Sequence, residues 1–265
     1  MNAPRGQARV LAITNQKGGV GKTTTTVNLA AALAVAGQRV LLVDLDPQGN
    51  ATMGSGVDKR GLSATVYQVL LGETDARTVL LRSEHGGYQL LPANRDLAGA
   101  EVEMVDLPNR DARLRQALAP LLPDFDFVLV DCPPALNLLT VNALCAAHAV
   151  MIPVQCEYYA LEGLSDLVNT VKRVRAHLNP TLEIEGLLRT MFDPRNTLAQ
   201  NVSEQLQRHF GQKVYRTVIP RNVRLAEAPS YGKTVIAYDR QSKGALAYLA
   251  LAGEILSRLT PDRTH

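Results

Sequence analysis

The sequence has no tryptophan, and aromatic residues reach only 5% of its 265 positions. A core must therefore be assembled from Ala, Val, Leu and Ile, which suits a parallel sheet buried under helices. Cysteine is scarce. Cys132, Cys145 and Cys156 are odd in number and show no C-x-x-C spacing. That excludes a disulfide framework and an obvious zinc site, and points to reduced, buried thiols in a cytoplasmic protein. Long apolar runs are also missing. The longest uncharged one, residues 29–37, falls far short of the roughly 20 residues that a bilayer demands. The opening MNAPRGQARV lacks the continuous apolar stretch of a signal peptide. Neither a low-complexity tract nor an internal repeat is present. With 46% hydrophobic and 20% charged residues, the composition is that of a globular chain and not of a disordered or fibrous one.

The net charge of +3 is modest but unevenly placed. Residues 172–243 carry 13 Lys and Arg against 6 Asp and Glu, a local +7 that leaves −4 for the rest. A basic segment in an otherwise acidic chain points to an anionic partner on one face.

Apolar runs at residues 9–14, 39–43, 126–130, 149–154, 184–190 and 214–219 read as strands. Helical patterns fall at 22–36, 63–71, 110–119, 138–147, 161–177, 198–209 and 243–259, and 78–82 with 88–92 read as a hairpin. Strands that alternate with helices and read as continuous Val/Ile/Leu runs predict an α/β fold, a mostly parallel twisted sheet with helices on both faces. No linker is long enough to divide the chain, so residues 1–265 are expected to form a single domain.

The strongest local signal lies between the first strand and the first helix: Lys17, Gly18, Gly19, Val20, Gly21, Lys22, Thr23 and Thr24. Glycines let backbone N–H groups approach a phosphate, and the positive end of a helix dipole favours the same anion. In this reading Lys22 reaches the β- and γ-phosphates, the Thr23 hydroxyl ligates magnesium and Thr24 serves the α-phosphate. The usual G-x-x-x-x-G-K-[ST] spacing is not met, because Gln16 stands where its first glycine belongs. A second lysine, Lys17, sits at the far edge of the loop, where it can cross to the nucleotide of a facing subunit. Two acidic segments add to the pattern. Asp44 and Asp46 follow the second strand, and Asp131 follows the run Phe127, Val128, Leu129, Val130. Both lie at strand carboxyl ends, where open α/β sheets bind ligands.

The loop K-G-G-V-G-K-T-T resembles the deviant Walker A loop of the ParA/MinD group of P-loop ATPases. The chain is most similar to the chromosomal ParA (Soj-type) partition ATPases, through N-Q-K-G-G-V-G-K-T-T at 15–24, L-D-P-Q-G-N at 45–50, D-C-P-P at 131–134 and V-I-P-R-N-V-R-L-A-E-A-P-S at 218–230. The resemblance implies an ATP-sandwich homodimer with Lys17 acting in trans, and a slow ATPase in which Asp44 prepares the attacking water. It implies ATP and Mg2+ as ligands, with Thr23, Asp44 and Asp131 at the metal. It further implies adenine held by Pro220 and Asn222, with Arg221 a weaker candidate. Non-specific double-stranded DNA would be bound through Arg195 and Arg224. The implied partner is a ParB-type centromere-binding protein that accelerates hydrolysis, and the implied location is the cytoplasmic nucleoid, serving chromosome or plasmid segregation. Only eight residues precede the first strand, so the operator-binding domain of some plasmid relatives is not expected. MinD-type membrane ATPases are the alternative. They end in a basic amphipathic helix, whereas 247–259 here carries Arg258 against Glu254 and does not form a lipid-seeking face. A cluster-bearing relative such as the nitrogenase iron protein is disfavoured by the contexts of the three cysteines.

Overall fold

The structure, a computed structural model, describes residues 8–259. Its strands are β1 (Arg9–Ile13), β2 (Val40–Asp44), β3 (Leu81–Arg82), β4 (Gln89–Leu91), β5 (Phe127–Asp131), β6 (Ala149–Gln155), β7 (Glu183–Phe192) and β8 (Val214–Pro220). Its helices are α1 (Lys22–Val35), α2 (Asn50–Gly54), α3 (Val66–Leu71), α4 (Ala76–Val79), α5 (Leu97–Glu103), α6 (Arg113–Leu118), α7 (Leu138–Ala146), α8 (Ala160–His177), α9 (Thr197–Phe210), α10 (Val223–Glu227), α11 (Val235–Tyr238) and α12 (Lys243–Leu259). The strands form one sheet in the order β3-β4-β2-β5-β1-β6-β7-β8. Every pairing is parallel except β3 with β4. The α/β expectation therefore holds, including the hairpin, although the first half of the expected 78–82 strand is taken by α4. There the Asp75 side chain accepts the Arg77 N–H and starts a helical turn.

Side chains alternate across the sheet into two apolar layers. Val10, Ala12, Leu41, Val43, Val128 and Val130 face one layer, which α3 and α5 to α9 complete. Leu11, Ile13, Leu42 and Leu129 face the other, built from α1, α11 and α12. All five residues of β2 and of β5 are buried, as expected for a sheet covered on both faces. Helix α1 is also buried along most of its length, which explains why its sequence reads as a nearly uniform Ala/Leu/Val run and not as an amphipathic one.

One hydrogen bond makes this core pH-sensitive. The Val10 N–H donates to His148 Nδ1 at 2.9 Å, beside the pairing of β1 with β6. Burial, and then the Arg9 guanidinium, lower the His148 pKa from its ordinary 6.5. A protonated ring cannot accept this bond. The stabilisation is thus present above the unfolded-state value and is lost as pH falls through it towards the folded one. Between about pH 7.5 and about pH 5.5 the Tm of the wild type is expected to drop more steeply than that of His148→Gln, measured by thermal unfolding.

Candidate active site

β1 lies at the middle of the sheet, flanked by β5 and β6. From β2 the chain returns to one side of it and from β5 to the other, so a crevice opens beyond the strand carboxyl ends. The loop between β1 and α1 occupies that crevice. Gly19 and Gly21 adopt φ of +73° and +87°, backbone that a side chain would strain. No side chain caps the start of α1, so its first N–H groups are available to an anion. Two contacts brace the loop from outside. Asn15 accepts the Lys17 N–H at 3.0 Å while donating to the Pro153 carbonyl at 2.8 Å. The Thr190 hydroxyl, from β7, donates to the Val20 carbonyl at 2.8 Å.

Lys22 is only 7% exposed. Burial lowers its pKa, opposed by the negative charges of Asp131 and Asp46 among others. Its ammonium donates to the Lys17 carbonyl at 3.1 Å, which folds it back across the loop. The Thr23 hydroxyl donates to Asp131 Oδ2 at 2.7 Å, and the Thr26 hydroxyl to Oδ1 at 3.0 Å. Asp131 is wholly buried, and that burial, reinforced by Asp44 beside it, raises its pKa.

Asp44 and Asp46 part company. Asp44 is the last residue of β2, in register with Asp131 of β5, and is wholly buried. Its Oδ2 accepts the N–H and the hydroxyl of Thr52, each at 2.7 Å, and its Oδ1 the Asp46 N–H at 3.2 Å. Burial raises its pKa. Asp44 does not line the crevice; Asp46 does. The expectation that Asp44 meets water and metal is thus corrected. Its oxygens are spent inside the chain, anchoring α2, and Asp46 is the carboxylate at the cleft wall. The resemblance gives the role to Asp44 and none to Asp46, although both lie at the carboxyl end of β2.

The cleft measures 740 Å³. Gly18, Gly19, Gly21, Lys22, Thr23 and Thr24 line it, as do Pro220, Arg221 and Asn222 from the end of β8 and beyond. Asn222 Oδ1 is buried and has no hydrogen-bond partner. Thr190, Met191, Gln48, Asn50 and Tyr248 also line the cleft; Gln48 and Asn50 fall in the motif at 45–50, and the sequence assigns none of the five a role. Met191 is marked only in the folded backbone, by a φ of +49° that is rare for a residue with a side chain. Val20 and Lys17 are not in the lining. Val20 is buried under the loop, and the Lys17 ammonium pairs with Glu157 at 2.6 Å, both side chains being half-exposed. Among the described residues no cluster of three His, Cys, Asp or Glu is arranged to hold a metal. The three cysteines are free and buried, and burial pushes the Cys145 and Cys156 thiols up to about 11.

β7 and β8 end together, Phe192 in register with Pro220, so Arg195 and Arg224 leave the sheet at the same end as the phosphate loop. The segment bearing Arg224 is tied to that loop's own helix. Asn28 of α1 accepts the Val235 N–H, the start of α11, at 2.7 Å and donates to the Thr24 carbonyl at 2.8 Å.

Residues 8–184 match the AAA domain family. The chain is 54% identical to the chromosome-partitioning ATPase Soj of Thermus thermophilus over 256 residues, 96% of this chain and 98% of that protein. It is 52% identical to the chromosome partitioning protein ParA of Myxococcus xanthus over 253 residues, 96% and 89% of the two. The chain belongs to the ParA/Soj family of chromosome-partitioning ATPases. Among solved structures it is similar to a cobyrinic acid a,c-diamide synthase from Mycobacterium smegmatis, crystallised with ADP or an ATP analog and magnesium. That chain is 42% identical, with 95% of each chain covered and a TM-score of 0.84. Its name speaks of a synthase where the ParA and Soj relatives' names speak of partition; the common ground is the P-loop fold. No helix among the described residues is long and apolar enough to cross a membrane.

Proposed function

We propose that this ParA/Soj-family ATPase binds ATP with magnesium in the 740 Å³ cleft, pairs with a second copy over the bound nucleotides, and in that form grips DNA non-specifically until hydrolysis releases it. The observation that carries this reading is a cleft lined by Lys22, Thr23 and Asp46 that also reaches Pro220 and Asn222, whose buried Oδ1 has no partner among the described residues. An acceptor of that kind suits the amino group of adenine. The donor set fits magnesium too. This ion takes one or two protein oxygens and completes its shell with phosphate and water. The Thr23 hydroxyl would ligate it, with Asp131 holding that hydroxyl. When bound, the ion neutralises charge on the β- and γ-phosphates.

The loop N–H groups and Lys22 bind and orient the triphosphate. Asp46, not Asp44, orients the water that attacks the γ-phosphate. Lys17 leaves Glu157 and crosses to the partner's nucleotide, where it stabilises charge developing in the reaction. Loss of the γ-phosphate removes these contacts and the dimer opens. A ParB-type protein is the stimulating partner, and the nucleoid of the cytoplasm is the site of action, in chromosome or plasmid segregation. Against a MinD-type membrane role stands α12. Its apolar residues Tyr248, Leu251, Ala252 and Ile255 are buried in the fold and unavailable to lipid, while residues 260–265 of the tail lie outside the described residues.

The DNA reading draws on the basic balance of 172–243 and on the position of Arg195 and Arg224. Neutralised phosphates supply most non-specific affinity, and a dimer doubles their number. Arg195→Glu and Arg224→Glu are each expected to keep the ATP-dependent dimer in sedimentation while DNA retention falls by about tenfold or more. Wild-type retention in both variants would remove the assignment.

A further inference from the structure

The two arginines assigned to DNA are not free. Arg195 is 89% exposed at its side chain, yet its guanidinium is occupied by Asp193. Nε donates to Oδ1 at 3.0 Å and Nη2 to Oδ2 at 2.9 Å, while the Arg195 backbone N–H also bonds Oδ1 at 2.9 Å. This is the two-pronged grip with which a guanidinium takes a phosphate. In turn the arginine holds the Asp193 carboxyl down at about 2. Arg224 is engaged twice. Nη1 donates to Glu227 at 2.8 Å and Nε meets Asp239 at 3.3 Å, and the guanidinium lies over the Tyr238 ring at 6.0 Å.

Asp239 is a fixed group. Its N–H donates to the Val235 carbonyl at 2.8 Å and its Oδ1 accepts from Gln241 N at 3.2 Å. Val235 is the residue whose own N–H Asn28 of α1 holds. The backbone that carries the carboxylate against Arg224 is thus tied, through Val235, to the phosphate-loop helix.

We propose that Asp193 at Arg195, and Asp239 together with Glu227 at Arg224, are internal competitors of DNA phosphate that set the affinity of this surface for duplex DNA below what its arginines would otherwise give. The inference rests on reading this end of the sheet as the DNA surface. A phosphate must displace a carboxylate at each arginine before it gains a charge-assisted bond, and a dimer meets that cost at four arginines. A single chain, which offers only two such arginines, is thereby held to weaker binding than those arginines would otherwise give.

The test uses the full chain with ATP and magnesium, binding a labelled random-sequence duplex over a salt series. Asp193→Asn and Asp239→Asn, which keep shape and remove charge, are each expected to tighten binding about two- to five-fold, and the double variant by about the product. In an Arg224→Ala background Asp239→Asn is expected to give no gain, since the competitor then has nothing to mask. Unchanged or weaker binding in both single variants overturns the proposal. So does an equal gain in the Arg224→Ala background, which would reflect bulk charge alone. ATP affinity, read alongside, is expected to stay at the wild-type value and reports that the variants are folded. If Arg195→Ala and Arg224→Ala bind DNA as the wild type does, the DNA surface lies elsewhere and the mask falls with it. If they weaken binding while the Asn variants change nothing, the mask alone is wrong.

Discussion

Replacing Lys22 with alanine is expected to cost about two to four orders of magnitude in ATP affinity while leaving the empty protein as stable as before. Two charge-assisted bonds to phosphate are lost, at about 1.5–3 kcal/mol each, and about 1.4 kcal/mol corresponds to tenfold in Kd. Stability is spared for a different reason. The buried ammonium makes one hydrogen bond within the chain, to the Lys17 carbonyl, and burial already works against its charge. Removing it relieves a desolvation cost. Titration calorimetry reads the affinity, and thermal unfolding with and without ATP reads the rest. The ligand-induced rise in Tm should vanish while the unliganded Tm holds. Wild-type affinity in this variant would dismiss the phosphate loop.

A second substitution separates two neighbouring carboxylates. Asp46→Ala is expected to lower turnover by about 100-fold or more, in line with the loss of a positioned base, without weakening ATP binding. The ATP-loaded dimer should then persist on DNA. Asp44→Ala should instead act on stability. It strands the Thr52 N–H and hydroxyl, which donate to Asp44 at 2.7 Å in a fully buried place. Unsatisfied buried donors of this kind cost about 1–3 kcal/mol each. Phosphate release and chemical denaturation, run on both variants, distinguish the roles. A stable Asp44→Ala protein with arrested turnover, beside an active Asp46→Ala, would reverse the assignment.

Much of the fold was legible because its long elements carry their own signals. The parallel strands read as unbroken apolar runs, and the phosphate loop is defined by residue types whose spacing has a mechanical reason. What escaped has a physical cause in each case. Helices α2, α5, α10 and α11 are four to seven residues long, too short for a 3.6-residue period to register. Local caps start some of them, such as the Thr234 hydroxyl that accepts the Ala237 N–H. Thr190, Met191 and Tyr248 reach the cleft from β7 and α12, far along the chain, and only the packing of the sheet brings them there. Asp44 and Asp46, two residues apart at the end of one strand, share a side of it by period, and only the observed Thr52 contacts and burial of Asp44 separate their roles.

A strand that is apolar on one face declares its alignment, since a slip of one residue would turn its greasy side to water. β2 and β5 have no such safeguard, being covered on both sides. Slipping either by one place would exchange valine for leucine and cost little in exposure. What such a slip cannot preserve is the match of Asp44 with Asp131 and the separate threonine partners each one requires. The acidic tips of these two strands thus serve as index marks for assembly, and a chain that misaligns them forfeits its energy source before it is ever tested for motion.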